Sequence, residues 1–216
     1  MKFASFYHDG EEGFGAIKDD YIIDLSKGLL SGETFANLKA LLKGGGSSKE
    51  SLKETVENGS NIIETNEVNF RMPICNPGKI FCVGRNYYAY HEVMEDGRPD
   101  WPSIFPRFSD SFAAHEQAII RGTDDADQLD YEGELVVVIG KQGRHIPEKT
   151  AMSYVGGYTI ANEGSVRNWI GRGTQNCPVK NQWRSGSMGP WIVTPDEILN
   201  LSLIHISEPT SLGMIS

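Results

Sequence analysis

The stretch Asp130-Tyr-Glu-Gly-Glu-Leu-Val-Val-Val-Ile-Gly140 runs from an acidic head directly into an apolar segment. The last apolar residues are β-branched and glycines bracket them, which predicts a buried strand. Because side chains two residues apart on a strand share a face, Glu132 and Glu134 are predicted to point the same way, with Cα atoms about 6.6 Å apart. Two carboxylates at the entrance to a core resist desolvation, so the sequence indicates a positive group between them.

Two interpretations of this acidic pair stay open at this point. One is a hard divalent cation such as Mg²⁺ or Mn²⁺, which prefers carboxylate oxygens. The other is a solvated strand end flanked by lysines. A second predicted strand, Tyr154-Val-Gly-Gly-Tyr-Thr-Ile-Ala-Asn-Glu163, again ends in an acid. Three carboxylates could occupy three positions of an octahedral ion and leave the others for water and substrate. The basic residues that could otherwise balance them are Arg85, Arg107, Arg167 and Lys180.

The composition limits the classes of function. A chain of 216 residues that is 39% hydrophobic can form one sizeable core, or a small domain plus a larger one. The net charge of −9 makes nucleic acid an unsuitable partner, because phosphate binding needs a basic surface. Three cysteines without a Cys-x-x-Cys motif predict a reducing cytoplasm and no zinc cluster. The polar N-terminus predicts no signal peptide, and no run reaches the length of a membrane span.

The chain is predicted to contain two domains. Residues 1–25 show a strand from Lys2 to Tyr7 and a hairpin turning at Lys18-Asp-Asp20, and residues 34–43 have helical spacing of their apolar side chains. A weaker helix is predicted up to residue 58. Pro73 and Pro77 keep the following segment extended, which places a boundary there. We therefore predict a small α+β domain over residues 1–72 and a second domain over 73–200.

The second predicted domain contains candidates for acid–base chemistry and anion binding. After a buried strand predicted at Lys79-Ile-Phe-Cys-Val83, a short helix would place His91 and Glu95 at i and i+4. A carboxylate beside an imidazole raises its basicity and fixes its tautomer, as a general base requires; a surface ion pair is the alternative. Arg107 lies among apolar neighbours, which predicts an acidic partner or an anionic ligand. The polar segment from Arg172 to Lys180, which includes Gln175, is typical of an active-site loop.

Four segments, in this order, resemble the fumarylacetoacetate hydrolase family. They are Lys79-Ile-Phe-Cys-Val-Gly-Arg-Asn-Tyr87, Asp130–Gly140, Tyr154-Val-Gly-Gly-Tyr-Thr-Ile-Ala-Asn-Glu-Gly-Ser-Val-Arg167 and Gly189-Pro-Trp191. The resemblance runs from about Pro73 to Ile198, and residues 1–70 resemble the small N-terminal domain of many members. It implies an α+β fold in which a mixed β-roll or β-sandwich with few helices follows a small α+β domain.

The resemblance also implies functional residues. The family's Mg²⁺ or Mn²⁺ ligands match Glu132, Glu134 and Glu163, the last standing where many members have Asp. The family's catalytic histidine matches His91, displaced by one residue, and its acidic partner is assigned to Glu95, with Glu92 in reserve because Met94 occupies the usual position. Lys180 matches a substrate-contacting lysine and is assigned as catalytic as well. Arg107 stands where many members have Lys. The predicted substrate contacts are Arg85, Arg107, Gln175 and Lys180.

The leading functional hypothesis is a metal-dependent hydrolase that cleaves a C–C bond in a β-diketo acid resembling an acylpyruvate or fumarylpyruvate. The ion would stabilise the departing enolate, and His91 with Glu95 would activate a water. One alternative is a 2-oxo-acid decarboxylase or isomerase of aromatic-acid catabolism, or a ureidoglycolate lyase, all within the same family. Another is an inactive truncated fragment.

The end of the sequence departs from the family pattern. The family continues with further strands and a Gly-Thr-Pro-x-Gly loop, whereas residues 201–216 do not resemble it and are predicted to be a non-homologous tail. The remaining expectations are a cytoplasmic enzyme with a small 2-oxo or β-diketo acid as its partner, without nucleic acid or membrane, and a homodimer in the full-length family member.

Overall fold

The computed structural model describes residues 1–44, 49–87, 100–173 and 175–198. Within these residues the helices are short: α1 (Leu38–Lys43), α2 (Lys49–Asn58), α3 (Glu148–Ala151) and α4 (Cys177–Lys180). No helix in the described part of the chain is both long and apolar enough to cross a membrane. The strands are β1 (Lys2–His8), β2 (Glu11–Lys18), β3 (Tyr21–Asp24), β4 (Ile62–Glu64), β5 (Asn69–Phe70), β6 (Ile80–Gly84), β7 (Ser103–Arg107), β8 (Phe112–Ala113), β9 (Leu129–Asp130), β10 (Gly133–Ile139), β11 (Val155–Asn162), β12 (Ser165–Val166), β13 (Gly186–Met188) and β14 (Ile192–Val193).

Most of the strands join one mixed sheet. Eight follow the order β4-β3-β2-β1-β14-β11-β13-β8, while β5 pairs with β1 and β10 pairs with β11. The pairings are antiparallel except for β13 with β8. Two separate two-stranded ladders, β6–β7 and β9–β12, complete the described strands. This large mixed sheet with few helices confirms the predicted α+β fold class.

The main core draws on both predicted domains. β1 pairs with β14 so that Phe3 lies opposite Ile192. Ile192 is fully buried in a cluster whose other buried members all precede residue 42. The sheet and the core are therefore continuous across the boundary at residue 72, and the division into two domains stays a prediction.

The first helix is shorter than its apolar spacing predicts. Asn37 has an extended backbone, and its side-chain oxygen accepts a hydrogen bond from the Ala40 N–H at 3.0 Å. An asparagine in this role is a favoured N-cap. The helix consequently begins at Leu38, and residues 34–37 lie outside it.

The predicted burial of the strand in 130–140 is wrong for one of its faces. Leu135, Val137 and Ile139 are 36%, 46% and 63% exposed, whereas the alternate residues Val136 and Val138 are half-buried. β6, also predicted to be buried, alternates in the same way. A β-branched run is typical of strands covered on both faces, but in the described part of the chain nothing covers this outer face of β10.

Candidate metal centre

The pairing of β10 with β11 brings the three predicted metal ligands together. Glu132 immediately precedes β10, Glu134 is its second residue, and Glu163 follows β11. The register sets Gly133 opposite Asn162, so the start of one strand lies beside the end of the other. The Glu163 N–H also donates to the Glu132 carbonyl oxygen at 2.8 Å. Two short segments distant in the sequence therefore present three carboxylates to one point.

The three carboxylates lie close enough together to converge on one divalent cation. One oxygen from each of Glu132, Glu134 and Glu163 lies within 4.8 Å of the other two. Oxygens bound at about 2.1 Å to an octahedral Mg²⁺ would lie roughly 3.0 to 4.2 Å from one another. Glu163 is buried, and its Oε1 has no hydrogen-bond partner among the described residues. A buried, unsatisfied carboxylate oxygen within a hard oxygen donor set is a suitable ligand for Mg²⁺ or Mn²⁺.

Lysine and arginine side chains already contact part of the cluster. Lys180 Nζ lies 2.7 Å from Glu132 Oε2 and 3.2 Å from Glu163 Oε2, and its side chain is 10% exposed. Arg167 Nη1 lies 2.8 Å from Glu132 Oε1, while its Nε lies 2.9 Å from Asp130 Oδ2. Of the four basic candidates named from the sequence, Lys180 and Arg167 thus pair directly with Glu132.

Glu132 and Glu134 differ in their electrostatic environments. Burial would raise the pKa of Glu132, but Lys180, the hydroxyl of Ser165 and Arg167 outweigh it and hold that pKa below its ordinary value. Among the described residues no lysine or arginine forms an ion pair with Glu134, which accepts a hydrogen bond from Tyr87 Oη at 3.2 Å. Burial, followed by the carboxylates of Glu163 and Glu132, raises the pKa of Glu134 to about 7. Glu134 is therefore the carboxylate that most lacks a counter-charge.

The remaining predicted site residues differ in their position and burial. Arg107 is buried, and its Nη1 lies 3.9 Å from Glu163 Oε1. Arg85 and Gln175 are exposed. His91, Glu92, Met94 and Glu95 lie outside the described residues, as does the tail 201–216. The general base stays a prediction.

Several residues that contact the cluster were not singled out from the sequence. Ser165 Oγ donates to Glu132 Oε1 at 2.7 Å, and Asn162 Oδ1 accepts from the Glu132 N–H at 3.1 Å. Both flank Glu163 closely in the sequence, a signal that could have found them. Tyr87 lies 47 residues before Glu134, and no local pattern links the two.

Cys82 also lies close to the cluster. Burial, assisted by the Glu163 carboxylate, raises the pKa of the Cys82 thiol far above its ordinary value. This shift favours the protonated thiol at neutral pH over the thiolate that acts as a ligand or nucleophile.

Comparison with known proteins identifies the family of the chain. The family model described as fumarylacetoacetate (FAA) hydrolase, C-terminal, matches residues 79–208. A mitochondrial oxaloacetate tautomerase of Xenopus laevis is 32% identical over 184 residues, which is 82% of this chain and 53% of the relative. An uncharacterised protein of Staphylococcus haemolyticus is 32% identical over 218 residues, 92% of this chain and 70% of that protein. The chain spans about half the length of the Xenopus relative and of the Dictyostelium discoideum homologue.

Solved structures share the fold. A fumarylacetoacetate hydrolase from Exiguobacterium antarcticum is 26% identical with a TM-score of 0.75, covering 92% of this chain and 68% of that chain. A maleylpyruvate hydrolase from Sphingobium, in complex with manganese(II) ion and pyruvate, has a TM-score of 0.74 at 20% identity, covering 93% of this chain and 69% of that one. The second likeness shows the fold alone. With a family match over more than half of the 216 residues, the resemblance seen in the sequence is confirmed: this chain belongs to the fumarylacetoacetate hydrolase family.

Proposed function

We propose that the chain carries the metal site of an enzyme that forms and stabilises the enolate of a small 2-oxo acid. The observation behind this proposal is the convergence of Glu132, Glu134 and Glu163, with one oxygen of each within 4.8 Å of the others. When bound, Mg²⁺ or Mn²⁺ would supply a Lewis acid that polarises the 2-oxo group. The manganese(II) and pyruvate in the Sphingobium hydrolase support both the ion and the ligand class.

The protein's own residues orient the carboxylates and bind the substrate. Ser165 and Arg167 hold one oxygen of Glu132 at 2.7 and 2.8 Å, which fixes the rotamer of this ligand. Lys180 bridges Glu132 and Glu163. With an ion held by these two acids, the Lys180 ammonium would be available to the carboxylate or developing oxyanion of a substrate. Arg85 and Gln175 are proposed to contact the distal end of the substrate.

Two reactions use this enolate, and each has its own support. Hydrolysis of a C–C bond in an acylpyruvate is favoured by the predicted pair of His91 and Glu95, with Glu92 in reserve, because this reaction needs an activated water. Tautomerisation of oxaloacetate is favoured by the names of relatives that are 32% to 34% identical, including those from Xenopus laevis and Rattus norvegicus. Decarboxylation and ureidoglycolate cleavage would need the same metal ligands.

One set of assays separates these reactions. The chain with Mn²⁺ would be incubated with the enol of oxaloacetate and, separately, with an acylpyruvate whose cleavage releases pyruvate. We expect faster ketonisation of the enol, lost in Glu163→Gln and kept in the exposed control Glu148→Gln. Release of pyruvate would identify the hydrolase, and ketonisation alone the tautomerase. If the folded, Mn²⁺-loaded chain accelerates neither reaction, the proposed activity is contradicted and the inactive-fragment interpretation holds.

The cellular setting is part of the proposal. A cytoplasmic location and a homodimer of the full-length protein both stay predictions. Several relatives, such as the Xenopus tautomerase, are named as mitochondrial. A small 2-oxo acid is available in both compartments, so the proposed chemistry does not depend on this choice.

A further inference from the structure

Arg107 is held rigidly inside the protein. Its Nε donates to Ser111 Oγ at 3.1 Å, and its Nη2 donates to Ser111 O at 3.3 Å and to Ser185 Oγ at 3.0 Å. The guanidinium carbon lies 4.3 Å from the centre of the Phe112 ring. The side chain is 0% exposed. A substrate arriving from solvent therefore has no access to this guanidinium, which differs from the role predicted from the sequence.

The remaining nitrogen of Arg107 is directed at the third metal ligand. Nη1 donates to the Gly164 carbonyl oxygen at 3.3 Å, which holds the backbone immediately after Glu163. The same Nη1 lies 3.9 Å from Glu163 Oε1. This separation permits charge attraction but is too long for a hydrogen bond. Oε1 is the buried oxygen that lacks a hydrogen-bond partner among the described residues, so its lone pairs stay available to a cation.

The surrounding backbone leaves room for this arrangement only because two residues are glycines. A Cβ at Gly186 would come within 2.5 Å of the Asn162 carbonyl oxygen and 3.3 Å of Arg107 Nη2. A Cβ at Gly164 would come within 1.8 Å of the Ser185 carbonyl oxygen. Any side chain at either position would displace the guanidinium or the segment that carries Glu163.

We propose that Arg107 is a positioning residue: it fixes the backbone and the charge of Glu163 while leaving Glu163 Oε1 free to bind the divalent cation. This inference rests on the metal site of the proposed function. It replaces a direct contact between Arg107 and substrate. In this chain a lysine would make fewer of these contacts, because a single ammonium lacks the planar fork that reaches Ser111, Ser185 and Gly164 together.

The test compares the Mn²⁺ affinities of folded variants. Free Mn²⁺ would be measured by electron paramagnetic resonance in titrations of the 216-residue chain, Arg107→Lys and Arg121→Lys, with circular dichroism confirming the fold at the same temperature. Arg121 is an exposed arginine near Asp124, so it is the matched control. We expect Arg107→Lys to bind Mn²⁺ at least about tenfold more weakly, the size typical of groups that orient metal ligands. We expect Arg121→Lys to bind as the parent does.

A second, milder variant tests the same inference if Arg107→Lys does not fold. Ser185→Ala keeps the charge and removes only one acceptor of the guanidinium, and we expect a smaller but measurable loss of Mn²⁺ affinity. Unchanged affinity in the folded variants would overturn the inference while leaving the metal site intact. If Arg107→Lys instead raised the KM for the 2-oxo acid and left the Mn²⁺ affinity unchanged, Arg107 would be a substrate contact and the inference would be overturned. If the parent chain binds no Mn²⁺, the proposed function fails first, and this inference fails with it.

Discussion

At the scale of single residues, the acidic cluster shows how identical side chains acquire different properties. Glu132 and Glu134 are two positions apart and both contribute to the same cluster. Lys180, Arg167 and Ser165 stabilise the charge of Glu132. Among the described residues, Glu134 accepts a hydrogen bond from Tyr87 and has the carboxylates of Glu163 and Glu132 beside it. A cation bound to the cluster would therefore stabilise the charged form of Glu134 more than that of Glu132.

The raised pKa of Glu134 should make the stability of the metal-free chain depend on pH. Because the pKa of Glu134 is raised to about 7, the folded state keeps a proton that the unfolded state releases above its ordinary pKa of about 4.3. Stability should fall as pH rises between these two values. We expect Glu134→Gln to be more stable than the parent in EDTA at about pH 8, and to lose this advantage near pH 4.5. Urea unfolding at both pH values measures this difference in the free energy of unfolding.

An exposed glutamate provides the control for this measurement. Glu148→Gln changes an exposed glutamate in α3 and should shift the urea midpoint little at either pH. Adding Mn²⁺ at the higher pH should favour the parent over Glu134→Gln, since the variant lacks one ligand. An advantage of Glu134→Gln that is the same at both pH values would show that the charge of Glu134 is not its cause.

The sequence predicted the cluster but not its internal contacts. An acid-x-acid pair before a β-branched run and a third acid after another strand were visible locally, and the family resemblance joined them. The pairing of Lys180 with Glu132 spans 48 residues and depends on how β10, β11 and α4 pack. The apolar neighbours of Arg107 indicated an acidic partner or an anionic ligand but did not decide between them; the structure buries Arg107, whereas Arg85 is exposed.

At the scale of elements, β10 shows which part of a strand prediction is reliable. Its existence follows from a β-branched composition, which is a local property. Its burial depends on what lies against each face, which is not local. Leu135, Val137 and Ile139 point away from the core, whereas Val138 packs against the core cluster. Exposed apolar faces of this kind promote association.

Opposite faces of β10 should therefore respond differently to a charge. We expect Val137→Lys to reduce self-association of the chain, measured by light scattering, with little effect on its free energy of unfolding. Val138→Lys would place an ammonium against the core and should cost more than about 2 kcal/mol of stability. If Val137→Lys destabilises the chain as much as Val138→Lys, the outer face of β10 is covered in solution.

At the scale of the whole molecule, one sheet and one core span the proposed domain boundary. Phe3 and Ile192 are paired neighbours across β1 and β14 although 189 positions separate them. Sequence patterns describe short segments, so a pairing of this range was not visible, and the prolines near residue 73 were interpreted as a boundary. β1 is therefore paired with β14 as well as with its hairpin partner β2.

A cavity-creating substitution in the core can test whether β1–β3 depend on β14. Ile192 is 0% exposed, and Ile192→Ala should cost about 2 to 5 kcal/mol. We expect amide hydrogen exchange to accelerate in residues 2–24 as well as near β14, because the core is shared. Ile160→Ala, at a 64% exposed position on β11, is the control and should leave exchange in 2–24 unchanged. Unaltered protection of 2–24 in Ile192→Ala would instead support an independent N-terminal domain.

The most direct test of the metal centre is a titration of the 216-residue chain with Mn²⁺, in which free ion is measured by electron paramagnetic resonance. We expect one Mn²⁺ to bind per chain. Glu163→Gln should lower the affinity at least about tenfold, because it converts into a neutral amide a ligand whose Oε1 is buried and has no hydrogen-bond partner among the described residues. Glu148→Gln should leave the affinity unchanged. Equal Mn²⁺ affinity in the parent and in folded Glu163→Gln would contradict the assignment of Glu132, Glu134 and Glu163 as a metal centre.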